Sequence, residues 1–128
     1  MARKRSTTLT EAELRLMDVL WERGPSTVAE ITAALPPPPI AYNSVLTTMR
    51  ILEQKGYVEH EEQGRAFIYR TLVERDAAAR SAVGHVLSRF FDNSASSLAL
   101  RLIENERPSS DELRRLRALI DQYEDGAL

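Results

Sequence analysis

The chain has 128 residues, 43% of them hydrophobic and 28% charged, with a formal net charge of −2. This composition gives room for one domain with a core, or a small domain plus an appendage, and argues against wholesale disorder. The lack of cysteine excludes disulfides, thiolate redox chemistry and cysteine-based metal sites, and the slightly acidic balance means that any case for nucleic-acid binding must rest on local charge.

No apolar run approaches the roughly 18 residues of a membrane span, and the basic start "MARKRSTTLTEAEL" has no signal-like apolar stretch, so a cytoplasmic location is expected. His60 and His85 stand far apart and outside any ligand-spaced cluster, so neither a metal nor another cofactor is expected.

Thr10 with Glu13 forms a capping box that opens a first helix. Leu14, Met17, Leu20 and Trp21 recur along it, and Gly24-Pro25 stops it. Thr27 with Glu30 opens a second, short helix with Val28, Ile31 and Leu35 on its apolar side, ended by Pro36 to Pro39. A third helix runs from about Ala41 to Lys55 and closes at Gly56. Two strands follow, about Tyr57 to Glu62 and Ala66 to Thr71, with Gln63-Gly64-Arg65 as the hairpin tip. Three short helices and a β-hairpin in this order match a winged helix-turn-helix; a small α+β domain of no particular function is the plain alternative. Its expected core is Leu14, Leu20, Trp21, Ile31, Val45, Met49, Leu52, Val58 and Phe67.

After Arg75 the pattern is helical only. One helix, Asp76 to about Phe91, carries Val83, Val86, Leu87, Phe90 and Phe91; a second, Ser96 to about Asn105, carries Leu98, Leu102 and Ile103. Ser109 with Glu112 caps a third, with Leu113, Leu116, Ile120 and Tyr123 at helical spacing. Short helices that cannot bury such stripes among themselves bury them against a second copy or back onto the first domain. The fold class is thus mainly α with a small β-hairpin wing: a winged helix-turn-helix domain over 1–75 and a helical domain over 76–128 that is expected to serve dimerisation. Val86, Phe90, Leu98, Leu102, Ile103, Leu113, Leu116 and Ile120 are the candidate dimer residues.

The third helix carries the functional signal. At 100° per residue, Val45, Thr48, Met49 and Leu52 make a buried stripe, and Asn43, Thr47, Arg50 and Gln54 fall about 140–200° from Val45. These are the side-chain types that reach base edges: Arg to guanine, Asn or Gln to adenine, Thr to several bases. From Ile31 to Leu52 there is no Asp or Glu, as a surface facing phosphates requires. An idle polar face is the competing reading. At the hairpin tip Arg65 suits a phosphate or minor-groove contact, although Glu59, Glu61 and Glu62 precede it. Arg3, Lys4 and Arg5 form a basic arm that either adds phosphate contacts or has no role.

"LTEAELRLMDVLWERGPSTVAEITAAL", "AYNSVLTTMRILEQKGYVEHEEQGRAFIYRTLVERD" and "SSLALRLIENERPSSDELRRLRALI" resemble the penicillinase-repressor family, which includes methicillin-resistance and copper-responsive repressors. The resemblance runs from about Leu9 to Ile120. It implies a homodimeric bacterial transcriptional repressor on a pseudo-palindromic operator in double-stranded DNA, with the third helix in the major groove. Carried over by position, the groove-facing residues are Tyr42, Asn43, Ser44, Thr47 and Arg50. Copper-responsive members end in a cysteine-rich metal motif, and this chain has no cysteine. Resistance-type members are inactivated by cleavage at an Asn-Phe dipeptide in the second dimerisation helix, a place held here by Arg101-Leu102. A sensor-linked protease of other specificity, or a ligand-driven release, is therefore expected. Two further classes stand beside this reading: a winged helix used for protein contact, which the neutral charge of residues 1–75 permits, and an enzyme, for which no motif stands out.

Overall fold

The computed structural model describes residues 8–126; the basic arm at Arg3, Lys4 and Arg5 lies outside the described residues. The element order is α1 (Glu11–Arg23), β1 (Ser26–Thr27), α2 (Val28–Ala34), α3 (Tyr42–Lys55), β2 (Val58–Gln63), β3 (Ala66–Thr71), α4 (Arg75–Phe90), α5 (Ala95–Glu106) and α6 (Ser110–Glu124). The strands form one antiparallel sheet in the order β1-β3-β2. Among the described residues no helix is long and apolar enough to cross a membrane.

Local chemistry sets the boundaries. Both halves of the capping box are present at α1, α2 and α6, each with a Thr or Ser at the cap and a Glu three positions later. Gly56 ends α3 in the left-handed region at φ 88°, which lets the Tyr57 amide donate back to the Leu52 carbonyl at 3.0 Å. The hairpin is tighter than the sequence suggests. Gln63 pairs with Ala66, so the loop is Gly64-Arg65 alone, and Gly64 takes the positive φ that a two-residue loop demands at its first position.

The chain divides into two compact units, one ending at Val86 and the other starting at Leu87. The expected division at Arg75 therefore moves into α4. The cause is packing: Ala78 is buried in the core of the first unit and Ala77 packs against that core, so the early turns of α4 belong there.

The first unit has a continuous core of Leu16, Met17, Val19, Leu20, Val28, Ile31, Val45, Met49, Leu52, Tyr57, Val58, Tyr69, Val73 and Ala78. The third-helix stripe is as expected at Val45, Met49 and Leu52, all fully buried, with Thr48 half-buried. Two expected core residues lie elsewhere. Leu14 is exposed, lining an open apolar cleft of about 460 Å³ with Leu9, Trp21, Ala82 and Val86, because α1 is apolar on several sides and Leu16 faces the core instead. Phe67 is also exposed and stacks on His60 with centroids 4.4 Å apart. Tyr69, two residues on and so on the same sheet face, takes the buried place.

Trp21 is partly buried; its indole N–H donates to the Val73 carbonyl at 2.9 Å, and the Arg75 guanidinium lies 5.1 Å from its ring centroid. Glu13 is buried and bonded to Lys55 at 2.8 Å, tying the start of α1 to the end of α3. Burial pushes its carboxyl up, but the hydrogen bonds from Lys55 and Thr10 outweigh this and hold it below its ordinary value.

In the second unit the turn from α4 to α5 passes through Asp92 and Asn93, both at positive φ, the conformation that Asp and Asn tolerate best after Gly. Neither α5 nor α6 contains a buried residue.

Candidate nucleic-acid interface

The geometry of α3 follows from its sequence pattern. Its apolar stripe is clamped under α1 and α2, which turns the opposite side outward. Asn43, Thr47, Arg50 and Gln54 are exposed there, and Tyr42 and Ser44 are exposed in the first turn, on the flanks of that side. Arg50 makes no ion pair among the described residues. The Thr47 hydroxyl donates to the Asn43 carbonyl at 3.0 Å, and Thr48 does the same to Ser44 at 2.8 Å. With its proton engaged in the helix, Thr47 offers outward a hydroxyl lone pair and a methyl group. Those suit a base amino group and a thymine methyl respectively.

One carboxylate stands on α3, and it is engaged. Glu53 contacts His60 Nδ1 at 2.7 and 2.9 Å, bridging α3 to β2. His60 in turn stacks on Phe67 and lies at a tilt to Tyr69. Burial raises the Tyr69 hydroxyl above its ordinary value, Glu53 adds to the rise, and Arg50 opposes it. Tyr69 is therefore neutral at physiological pH and acts as packing between sheet and helix.

The pleat of the hairpin sorts the acidic residues of the wing. His60 and Glu62 alternate with Glu59 and Glu61, so the two pairs occupy opposite faces. His60 faces α3, which places Glu59 and Glu61 on the side turned from it. There Arg70 Nε donates to Glu59 at 2.7 Å and its Nη1 lies 3.8 Å from Glu61. The Glu59 hydrogen bond, helped by both charges, holds the Arg70 guanidinium above its ordinary value. Glu62 shares the His60 face and is exposed. Arg65 projects at the tip, exposed and in no ion pair among the described residues.

The sequence missed three features around this surface. Strand β1 is two residues long, too short to show any alternation, yet it pairs Ser26 with Tyr69 and Thr27 with Ile68. The Glu53–His60 bridge joins residues on different elements. Arg15, on α1, donates to the carbonyls of Pro36 and Pro38, both at 2.6 Å, and no spacing rule relates a helix position to a loop carbonyl so far along the chain. Among the described residues no group of three or more His, Cys, Asp or Glu is placed to hold a metal ion.

A three-helix core, a three-stranded sheet ending in a β2–β3 hairpin and an outward third helix define a winged helix-turn-helix protein. The same fold appears in the solution structure of the DNA-binding domain of the repressor BlaI, at TM-score 0.52 and 24% identity, covering 59% of this chain and 93% of that one. The chain belongs to the penicillinase repressor family, whose model matches residues 9–122; this is a family of transcriptional repressors and not of enzymes. The chain is 24% identical to the penicillinase repressor of Bacillus licheniformis over 121 residues, 94% of each chain. It is 22% identical to the methicillin resistance regulatory protein MecI of Staphylococcus aureus over 118 residues, 89% of this chain and 94% of that protein.

Proposed function

We propose that this chain is a homodimeric transcriptional repressor that binds a pseudo-palindromic operator, with α3 in the major groove and the wing tip at Arg65 on the adjacent backbone. The observation that carries the reading is the outward face of α3. Tyr42, Asn43, Ser44, Thr47 and Arg50 are exposed together, and the single acid of the helix is bound to His60. Arg50 is the base reader of guanine type, Asn43 that of adenine type, and Tyr42 and Ser44 stand near the helix start, where backbone donors favour phosphate.

Pairing of two chains is supported by the second unit. Leu102, Ile103, Leu113, Leu116 and Ile120 are all 38–55% exposed, and Phe90 and Leu98 flank them on α4 and α5. Val86, on α4, is proposed as a further pairing residue. A second copy is the occupant that buries such stripes by symmetry. Release of repression would then follow from loss of pairing, by a sensor-linked protease acting in α5, where Arg101 and Leu102 are exposed, or by a ligand.

A gel shift against DNA selected from a random pool, repeated over a range of salt, tests this. Affinity should fall steeply with salt and discriminate selected from random DNA. Arg65→Ala should weaken both DNAs evenly and flatten the salt slope by about one ion. Binding that ignores both salt and sequence would instead favour a protein-contact module.

A further inference from the structure

The start of α3 lacks the device that fixes α1, α2 and α6. Its cap residue, Ala41, makes no side-chain cap hydrogen bond, so its first turn begins without a side-chain anchor of its own. The segment before it, Pro36 to Pro39, is exposed and has no backbone donor of its own. Only its carbonyls remain to anchor it. Leu35 and Ile40, at its two ends, pack against the core. Between them Arg15 Nη2 reaches from α1 and donates to both the Pro36 and the Pro38 carbonyls at 2.6 Å. Arg15 is half-buried and makes no ion pair among the described residues, so these two carbonyls are its polar partners there.

We infer that Arg15 is a positioning residue for DNA reading: it clasps the proline segment to α1 and so sets where the first turn of α3 lies. The inference rests on the proposed role of α3. Tyr42, Asn43 and Ser44 sit in that first turn, and a displacement of about 1 Å there misaligns hydrogen bonds whose useful range is only a few tenths of an ångström wide. Both bonds come from one nitrogen, Nη2, whose two N–H groups lie in the guanidinium plane in fixed directions; a lysine ammonium sits on a stem one bond shorter and rotates freely. Arg15 acts through the loop, without touching DNA.

A direct phosphate contact by Arg15 would look different, and the experiment separates the two. Arg15→Met, which keeps the apolar stem, and Arg15→Lys, which keeps the charge, are compared with the native full-length chain on three readouts: affinity for the selected DNA, affinity for random DNA over a range of salt, and amide-exchange protection at Val45 and Leu46 without DNA. Both variants should lose on the order of tenfold in affinity for the selected DNA, with random-DNA affinity and salt slope nearly unchanged. Protection at Val45 and Leu46 should fall while protection in the middle of α1 persists, which also shows that the variants fold. Full activity of Arg15→Lys, with a flatter salt slope for Arg15→Met, would make Arg15 a phosphate contact and overturn the inference. Unchanged protection and affinity in both variants would overturn it too. If the native chain itself selects no sequence, the DNA reading fails first and this inference falls with it.

Discussion

The two units of this chain carry similar helices and use them differently. In the first, the apolar stripes of α1, α2 and α3 close on one another and on the sheet, leaving Leu16, Met17, Ile31, Val45, Met49 and Leu52 without solvent contact. In the second, α5 and α6 have stripes of the same kind, and not one of their residues is buried. Amphipathicity thus states that a helix face seeks a partner, without stating whether that partner lies in the same chain. The first unit has a closed core, with one open apolar cleft beside Leu14 and Trp21. The second leaves its stripes uncovered within the chain, and under the proposed pairing a second copy would cover them.

The largest effects should expose this difference directly. Leu52→Ala removes a fully buried side chain and should cost the first unit about 3 kcal/mol, read from chemical denaturation. Leu116→Ala removes a leucine of the same size from an exposed stripe. It should leave the melting of the first unit unchanged and weaken self-association, read by analytical ultracentrifugation across concentrations. Equal destabilisation of the first unit by both would mean that α6 packs onto it.

Removing the chain after Asp92 comes next. The first unit should stay folded, while affinity for the selected DNA should drop by at least about 10²-fold, because the second half-site is no longer held at a high effective concentration. A truncated monomer that binds as tightly as the full chain would remove the second unit from DNA binding.

A smaller contrast sharpens the comparison through two capping-box glutamates, one per unit. Glu13 is buried and its carboxyl is held below the ordinary 4.5 by Lys55 and Thr10 against the opposing push of burial. Glu112 is exposed and held below 4.5 chiefly by the Ser109 amide. A depressed folded-state value contributes stability above the unfolded value, lost as pH falls through the folded one. The first unit should therefore lose stability below about pH 4.5, and Glu13→Gln should flatten that loss while costing about 2 kcal/mol at pH 7. Glu112→Gln should affect only the start of α6, visible as a local loss of amide protection. An unchanged acid profile in Glu13→Gln would assign the acid sensitivity to other carboxylates.

Much of this was legible in the sequence because it is local. The capping boxes at Thr10, Thr27 and Ser109, the stop at Gly56 and the stripe at Val45, Met49 and Leu52 each depend on residues within one or two helical turns. What sequence reading misplaced depends on contacts between distant residues. Leu14 and Leu16 are equally apolar, and only the position of α2 and α3 decides which one faces inward. Phe67 and Tyr69 share a strand face, and the extent of the helix layer beneath decides which is covered. The exposed set on α3 was legible as a face; the Glu53–His60 bridge and the hold of Arg15 on the proline segment were not, since neither leaves a periodic mark. The domain boundary at Arg75 follows the change of pattern, while the division at Val86 follows packing.

On the proposed reading, the outward face of α3 reads base pairs in two symmetric half-sites. Selecting bound sequences from a random DNA pool, with the native chain and with Arg50→Ala in parallel, tests it most directly. The native chain should enrich an inverted repeat, its half-sites about one helical turn of about 10 bp apart or a multiple of that. Arg50→Ala should lose about 1–3 kcal/mol and relax the preference at one base pair in each half-site, with the rest of the repeat intact. An Arg50→Ala repeat identical to the native one at every position would contradict Arg50 as a base reader, and a native chain that enriches no sequence would contradict sequence-specific binding by α3.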